Sequence, residues 1–183
     1  MIYKHLPNII SVLRIALVVP VVMSLLEGRF TLALILFGVA GVSDGLDGFY
    51  AKRYNCVTRL GTILDPLADK ILLISCYVTL FWLGLLPDWL VVSVILRDVI
   101  IVLGAGVVRY VIGPFEIIPR VLSKLNTFAQ IVLVMAVVLS NGLLPLSDWM
   151  LEVLVYSVLF TTVISGLDYM LRWGGLVIFR KSD

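Results

Sequence analysis

Four aspartates interrupt an otherwise apolar chain: Asp44, Asp47, Asp65 and Asp69. They stand in the runs Asp44-Gly-Leu-Asp47-Gly48-Phe-Tyr-Ala51-Lys52 and Gly61-Thr-Ile-Leu-Asp65-Pro-Leu-Ala-Asp69. An Asp at the centre of a membrane helix costs about 2.5–3.5 kcal/mol on insertion scales. Four of them between long hydrophobic segments point to chemistry. Asp44 and Asp47 are three residues apart and share a face if the segment is helical, with Ala51 four further on. Asp65 and Asp69 are four apart, and Gly61 lies one turn before Asp65. Two such helices packed together make a cluster of carboxylates.

Carboxylates crowded in one site cannot all stay ionised without a counter-charge. Oxygen-only ligands suit Mg²⁺, Mn²⁺ or Ca²⁺, whereas zinc favours His or Cys. Two ions about 3.5–4 Å apart can clamp a phosphoryl displacement. The glycines leave room for a phosphate-bearing ligand near the backbone. Lys52, Arg53 and Arg59 lie beside the cluster and can pair with phosphate. One carboxylate freed from metal duty can act as general base toward an alcohol. The competing reading, helix caps and snorkelling charges, suits any one aspartate but not four at these spacings.

The elements that must position these residues are membrane helices. The chain has 183 residues, 61% hydrophobic and only 14% charged, against about 25% in a soluble domain. Its mean hydropathy is +1.12. We read one domain over 1–183, all-α and polytopic. Spans of about 20 apolar residues fall roughly at 8–26, 30–53, 61–84, 87–112, 121–141 and 146–173. The breaks carry turn chemistry: Glu27-Gly28-Arg29, Leu86-Pro87-Asp88, Gly113-Pro114 with Pro119, and Asn141-Gly142 with Pro145. At Leu171–Phe179 the Trp173-Gly174-Gly175 sequence favours a separate interfacial segment over a continuation of the last helix. No internal repeat or low-complexity stretch stands out.

Six transmembrane helices put both termini on one side, and positive charge selects it. Lys4, Lys52, Arg53, Arg59, Arg109, Arg120, Lys124, Arg180 and Lys181 fall on the face of the termini. Arg29 lies opposite, with Glu27, Asp88, Asp148 and Glu152. The N- and C-termini are therefore expected to be cytoplasmic, and the active site to face the cytoplasm. Arg14 interrupts the first apolar run and no cleavage site follows, so that run reads as a retained helix. No transit peptide precedes it, which favours the cytoplasmic (inner) membrane of a bacterium. A net charge of +2 gives no reason to expect nucleic acid as a partner. Cys56 and Cys76 form no metal motif and read as free thiols.

The aspartate run resembles the signature of the CDP-alcohol phosphotransferases, Asp-x2-Asp-Gly-x2-Ala-Arg-x8-Gly-x3-Asp-x3-Asp. Every spacing is kept, and the one departure is Lys52 for the usual Arg. Lysine keeps the charge but loses bidentate geometry. The resemblance implies a six-helix membrane fold, a homodimer, and transfer of a phosphatidyl group from CDP-diacylglycerol to a hydroxyl with release of CMP. It implies two Mg²⁺ or Mn²⁺ ions on Asp44, Asp47, Asp65 and Asp69, with Asp69 also the base that deprotonates the acceptor. Gly48, Ala51, Lys52 and Gly61 would line the cytidine diphosphate site. The run Pro7-Asn8-Ile-Ile-Ser11-Val-Leu-Arg14 is similar to the family's first-helix pattern, with Asn8 and Arg14 reaching the nucleotide. Snorkelling to the headgroups is an equal reading of Arg14.

The signature binds the donor, so the acceptor has to be read elsewhere. Arg97-Asp98-Val99, Val108-Arg109-Tyr110 and Ser123-Lys124-Leu-Asn126-Thr127 resemble the cardiolipin synthase branch, which uses phosphatidylglycerol. Phosphatidylglycerophosphate synthases, which use glycerol 3-phosphate, typically show Arg-Glu-Ile, an Arg eight residues on, and Gly-Lys-x-Lys-Thr. Here position 105 is Ala, and Asn126 stands where the second Lys would be. A phosphodiester carries one charge and needs fewer cations than a phosphomonoester dianion. Arg97, Arg109, Lys124 and Asn126 are therefore the acceptor-binding candidates. Arg97 is mid-helix, where a charge needs a partner or a task. The positive-inside bias is the plainer account of Arg109, Arg120 and Lys124, though Lys124 also stands in the Ser-Lys-x-Asn-Thr run. Trp82, Trp89, Trp149 and Trp173 read as interface anchors. A membrane prenyltransferase separates its aspartate motifs further. A cation or proton transporter tolerates intramembrane carboxylates but has no use for these glycines or the adjacent cations.

Overall fold

The computed structural model describes residues 6–53, 61–112 and 121–179, and side-chain surroundings over 12–43, 67–104, 106 and 121–171. Among the described residues the chain is all helix: α1 (Leu6–Leu26), α2 (Phe30–Arg53), α3 (Gly61–Trp82), α4 (Asp88–Ile112), α5 (Val121–Gly142) and α6 (Asp148–Phe179). Among the described residues, α5 and the Asp148–Leu171 part of α6 are long and apolar enough to cross a membrane. Shorter apolar stretches run over Val12–Leu26 and Phe30–Ser43.

Glycine sets two of the helix ends. Gly28 has φ 72°, its N–H donates to the Leu25 carbonyl at 3.0 Å, and the Arg29 N–H donates to the Ser24 carbonyl at 2.8 Å. Gly84 repeats the pattern with φ 72°, its N–H reaching the Phe81 carbonyl and the Leu85 N–H the Leu80 carbonyl. Both are Schellman closures, in which a left-handed residue lets the chain satisfy carbonyls left over at the helix end. The second closure ends α3 at Trp82, just before the expected boundary. α6 corrects the reading of Leu171–Phe179: the helix continues through Gly174-Gly175 to Phe179. Neither glycine is left-handed there. A right-handed glycine weakens a helix by about 1 kcal/mol but does not stop it.

The helices fall into two compact units. The first holds α1, α2, α3 and the end of α5 from Val134. There α1 packs on both α2 and α3. Its inward face is Arg14, Val21 and Leu25, at helical spacing, against Ala33, Phe37 and Ala40 of α2 and Leu72, Leu73, Cys76 and Leu80 of α3. Cys76 is buried and not in a disulfide. The second unit holds α4, α5 as far as Leu133, and α6, with α4 packed on α6. Leu90, Val94, Leu133 and Val158 are its apolar interior. The outward faces are apolar as well, for example Val92, Leu96, Val99 and Leu103 on α4 and Val153, Phe160, Val163 and Leu167 on α6. Water rarely faces so much contiguous apolar surface.

The end of α5 approaches α2 closely within the first unit. A Cβ on Gly142 would stand 2.9 Å from the Phe30 Cβ and 3.0 Å from the Thr31 nitrogen. Gly142→Ala is expected to destabilise the protein by about 1–3 kcal/mol through overpacking. A thermal melt of the purified variant checks this; an unchanged midpoint would show that the contact gives way without cost.

Candidate active site

The sequence pairs occupy consecutive helical positions. Positions 44, 47 and 51 lie in α2, and positions 61, 65 and 69 in α3. The spacings of three and four therefore put each pair on one face of its own helix. The side chains of Asn8, Asp44, Asp47, Gly48, Ala51, Lys52, Gly61, Asp65 and Arg109 lie outside the described ones. Asp69 is described. Its carboxylate is 45% exposed, while Ala68 beside it and Leu72 and Leu73 one turn on are buried. α3 thus carries Asp69 at the open end of a face that is otherwise packed.

Arg14 of α1 meets it. The Arg14 Nη1 donates to Asp69 Oδ1 at 2.5 Å. Arg14 is only 1% exposed, among the most buried large side chains of the protein. Its guanidinium therefore turns inward to α3 rather than outward toward headgroups. Four carboxylates offering only oxygen form a donor set that fits hard divalent cations. Of that set, Asp69 is the one whose surroundings are described.

The acceptor candidates belong to the second unit. Arg97 is 5% exposed and Asp98 6%. Arg97 Nη1 donates to Asp98 Oδ1 at 2.7 Å. Its Nη2 donates to Ser123 Oγ of α5 at 2.8 Å and to Ser165 Oγ of α6 at 2.6 Å. One guanidinium thus clips three helices, and its stem lies beside Gly166, where an added Cβ would make ordinary contact with Arg97 Cγ at 3.6 Å. Asn126 is fully buried, and its Oδ1 accepts from Thr161 and Thr162 at 3.0 and 2.9 Å. Lys124, between Ser123 and Asn126, is exposed. Ser123, Thr161, Thr162 and Ser165 were absent from the sequence candidates. Their signal was there: three hydroxyl residues at 161, 162 and 165 fall on one face of an apolar helix.

Comparison with known proteins fits this arrangement. Residues 4–165 match the family model described as CDP-alcohol phosphatidyltransferase. The chain belongs to that family of membrane phosphatidyltransferases of phospholipid synthesis, whose substrates are a CDP-alcohol and an acceptor. Over 191 residues it is 32% identical to the CDP-diacylglycerol--glycerol-3-phosphate 3-phosphatidyltransferase of Bacillus subtilis (strain 168), covering 94% of this chain and 97% of that one. It is 34% identical over 180 residues to the cardiolipin synthase (CMP-forming) of Homo sapiens, covering 90% of this chain and 60% of the relative. The cardiolipin synthase (CMP-forming) of Streptomyces coelicolor is 30% identical over 181 residues, covering 95% and 80%. Relatives thus carry both names, cardiolipin synthase and glycerol-3-phosphate 3-phosphatidyltransferase.

Proposed function

We propose that this protein is a cardiolipin synthase of the CMP-forming type, transferring the phosphatidyl group of CDP-diacylglycerol to phosphatidylglycerol. The acceptor hydroxyl oxygen attacks the phosphorus that bears the diacylglycerol. A new P–O bond forms, the bond from that phosphorus to the bridging oxygen breaks, and CMP leaves with that oxygen. The hydroxyl proton goes to the Asp69 carboxylate. Asp44, Asp47, Asp65 and Asp69 would hold two Mg²⁺ or Mn²⁺ ions, which supply charge neutralisation at the diphosphate. Gly48, Ala51, Lys52 and Gly61, with Asn8, would receive the cytidine diphosphate.

The observation that carries the acceptor assignment is the state of the acceptor candidates in the second unit. Arg97 is paired with Asp98, and Asn126 is a buried amide in place of a cation. Among those candidates the cations remaining are Lys124, whose side chain is exposed, and Arg109. Two such cations suit the single charge of a phosphodiester better than the double charge of glycerol 3-phosphate. Glycerol 3-phosphate is the second reading, favoured by the Bacillus subtilis relative, which matches over nearly its whole length. The arrangement proposed with this function is six membrane spans in a homodimer, both termini and the aspartates on the cytoplasmic side of a bacterial inner membrane, where the positive charges gather.

Purified protein with Mg²⁺ and CDP-diacylglycerol is expected to make cardiolipin when given phosphatidylglycerol, and to stop when EDTA removes the metal. Turnover with glycerol 3-phosphate alone would move the assignment to phosphatidylglycerophosphate synthesis. Full activity in EDTA would remove the metal from the account.

A further inference from the structure

We propose that Arg14 is the positioning residue for Asp69, fixing the carboxylate that takes the acceptor proton; this rests on the reading of Asp69 as the base. A terminal carboxylate torsion is broad and two-fold, so an unrestrained Asp presents its two oxygens interchangeably. Arg14 Nη1 holds Oδ1 at 2.5 Å. Rotation of the carboxylate would break that bond. Oδ1 is thereby anchored, and the plane of the carboxylate is set with it.

Burial makes the anchor rigid. Arg14 is 1% exposed and lies on the same α1 face as Val21 and Leu25, which pack in the first unit. Asp69 is 45% exposed but rises from a stretch of α3 fixed by Ala68, Leu72 and Leu73. The pair therefore has a buried cation beneath and an accessible anion above. A surface ion pair would be too mobile for this purpose. A buried arginine is costly without a good acceptor, so its direction is strongly determined. Arg14 thus acts through Asp69, and the nucleotide contact expected from sequence is not needed to explain a cation in this part of α1. A general base works only within hydrogen-bond reach of its proton, so losing the anchor acts on the chemical step.

The test compares Arg14→Met, Arg14→Lys and Arg14→Gln with Asp69→Asn, using the full chain in lipid nanodiscs with CDP-diacylglycerol, phosphatidylglycerol and Mg²⁺. Arg14→Met is expected to lower kcat about 10²-fold while leaving the KM for CDP-diacylglycerol unchanged. Arg14→Lys, which keeps the charge, is expected to recover most of that loss. If the Met variant does not fold, Arg14→Gln takes its place, with kcat about 10- to 100-fold down and the donor KM unchanged. A melting curve gives a readout independent of activity. Asp69→Asn should lower the midpoint by taking the Asp69 charge from Arg14, and combining it with Arg14→Met should cost less than the sum of the two single changes. A raised donor KM with kcat intact would overturn the proposal in favour of a nucleotide contact. Equal losses in the Lys and Met variants, tracking the melting point, would overturn it in favour of a packing role. Wild-type turnover in Asp69→Asn would remove the base itself. An inactive Asp69→Asn beside a fully active Arg14 variant would remove only the positioning role.

Discussion

Replacing Asp69 by asparagine is expected to lower kcat by about 10²–10⁴-fold, the range that a positioned general base contributes. The amide has nearly the shape of the carboxylate and keeps an oxygen to accept from Arg14 Nη1. It cannot take a proton at working pH. CDP-diacylglycerol should still bind, because the cytidine and diphosphate contacts expected from Lys52, Gly61 and their neighbours remain. Stopped-flow or steady-state release of CMP measures the first quantity, and calorimetric titration with the donor measures the second. A secondary effect is also expected. The charge of Arg14, 1% exposed, loses its anion, and breaking a fully buried pair costs about 3–5 kcal/mol. The cost here should fall below that range, since water reaches the 45% exposed side of Asp69. Wild-type rates in this variant would contradict the assignment of the base.

The largest effect on stability is expected at Arg97. Arg97→Met leaves Asp98, 6% exposed, buried without its guanidinium, and takes a donor from both Ser123 and Ser165. The expected loss is about 3–5 kcal/mol, seen as a marked fall in the melting point and in the yield of folded protein. Arg97→Lys should recover little of it, since an ammonium cannot span the positions that the planar fork reaches. Pairing Arg97→Met with Asp98→Leu should recover more, because an apolar pair of similar volume removes the buried carboxylate along with the guanidinium. A variant of wild-type stability with a raised acceptor KM would instead make Arg97 a direct acceptor contact.

The helices were legible in the sequence because apolar runs of membrane length leave few alternatives. Gly28 marked the end of the first helix because a left-handed residue there favours glycine, and φ 72° is what the structure shows. Gly174-Gly175 looked like the same signal and was not. Glycine permits a left-handed turn without requiring one, and composition alone does not say which occurs. The aspartate pairs were legible because their spacing is local to one helix each. The Arg14–Asp69 bond was not, since it joins residues 55 apart and depends on how α1 and α3 are rotated against each other. Sequence left Arg14 between the nucleotide and the headgroups, and the partner it has was in neither reading. Arg97 was recognised as a charge in need of a partner. Asp98 was visible beside it, but Ser123 and Ser165 come from other helices. Asn126 was singled out for its place in the Ser123–Thr127 run, while its burial against Thr161 and Thr162 depends on helix packing.

One reaction tests the account most directly. The purified protein is given Mg²⁺, CDP-diacylglycerol isotopically labelled in its diacylglycerol phosphate, and equal concentrations of phosphatidylglycerol and glycerol 3-phosphate, and the lipid products are resolved by mass spectrometry. The account predicts labelled cardiolipin as the main product, with one CMP released per cardiolipin formed. Label appearing chiefly in phosphatidylglycerophosphate would contradict the acceptor assignment, and an absence of CMP release with either acceptor would contradict the chemistry assigned to the aspartates.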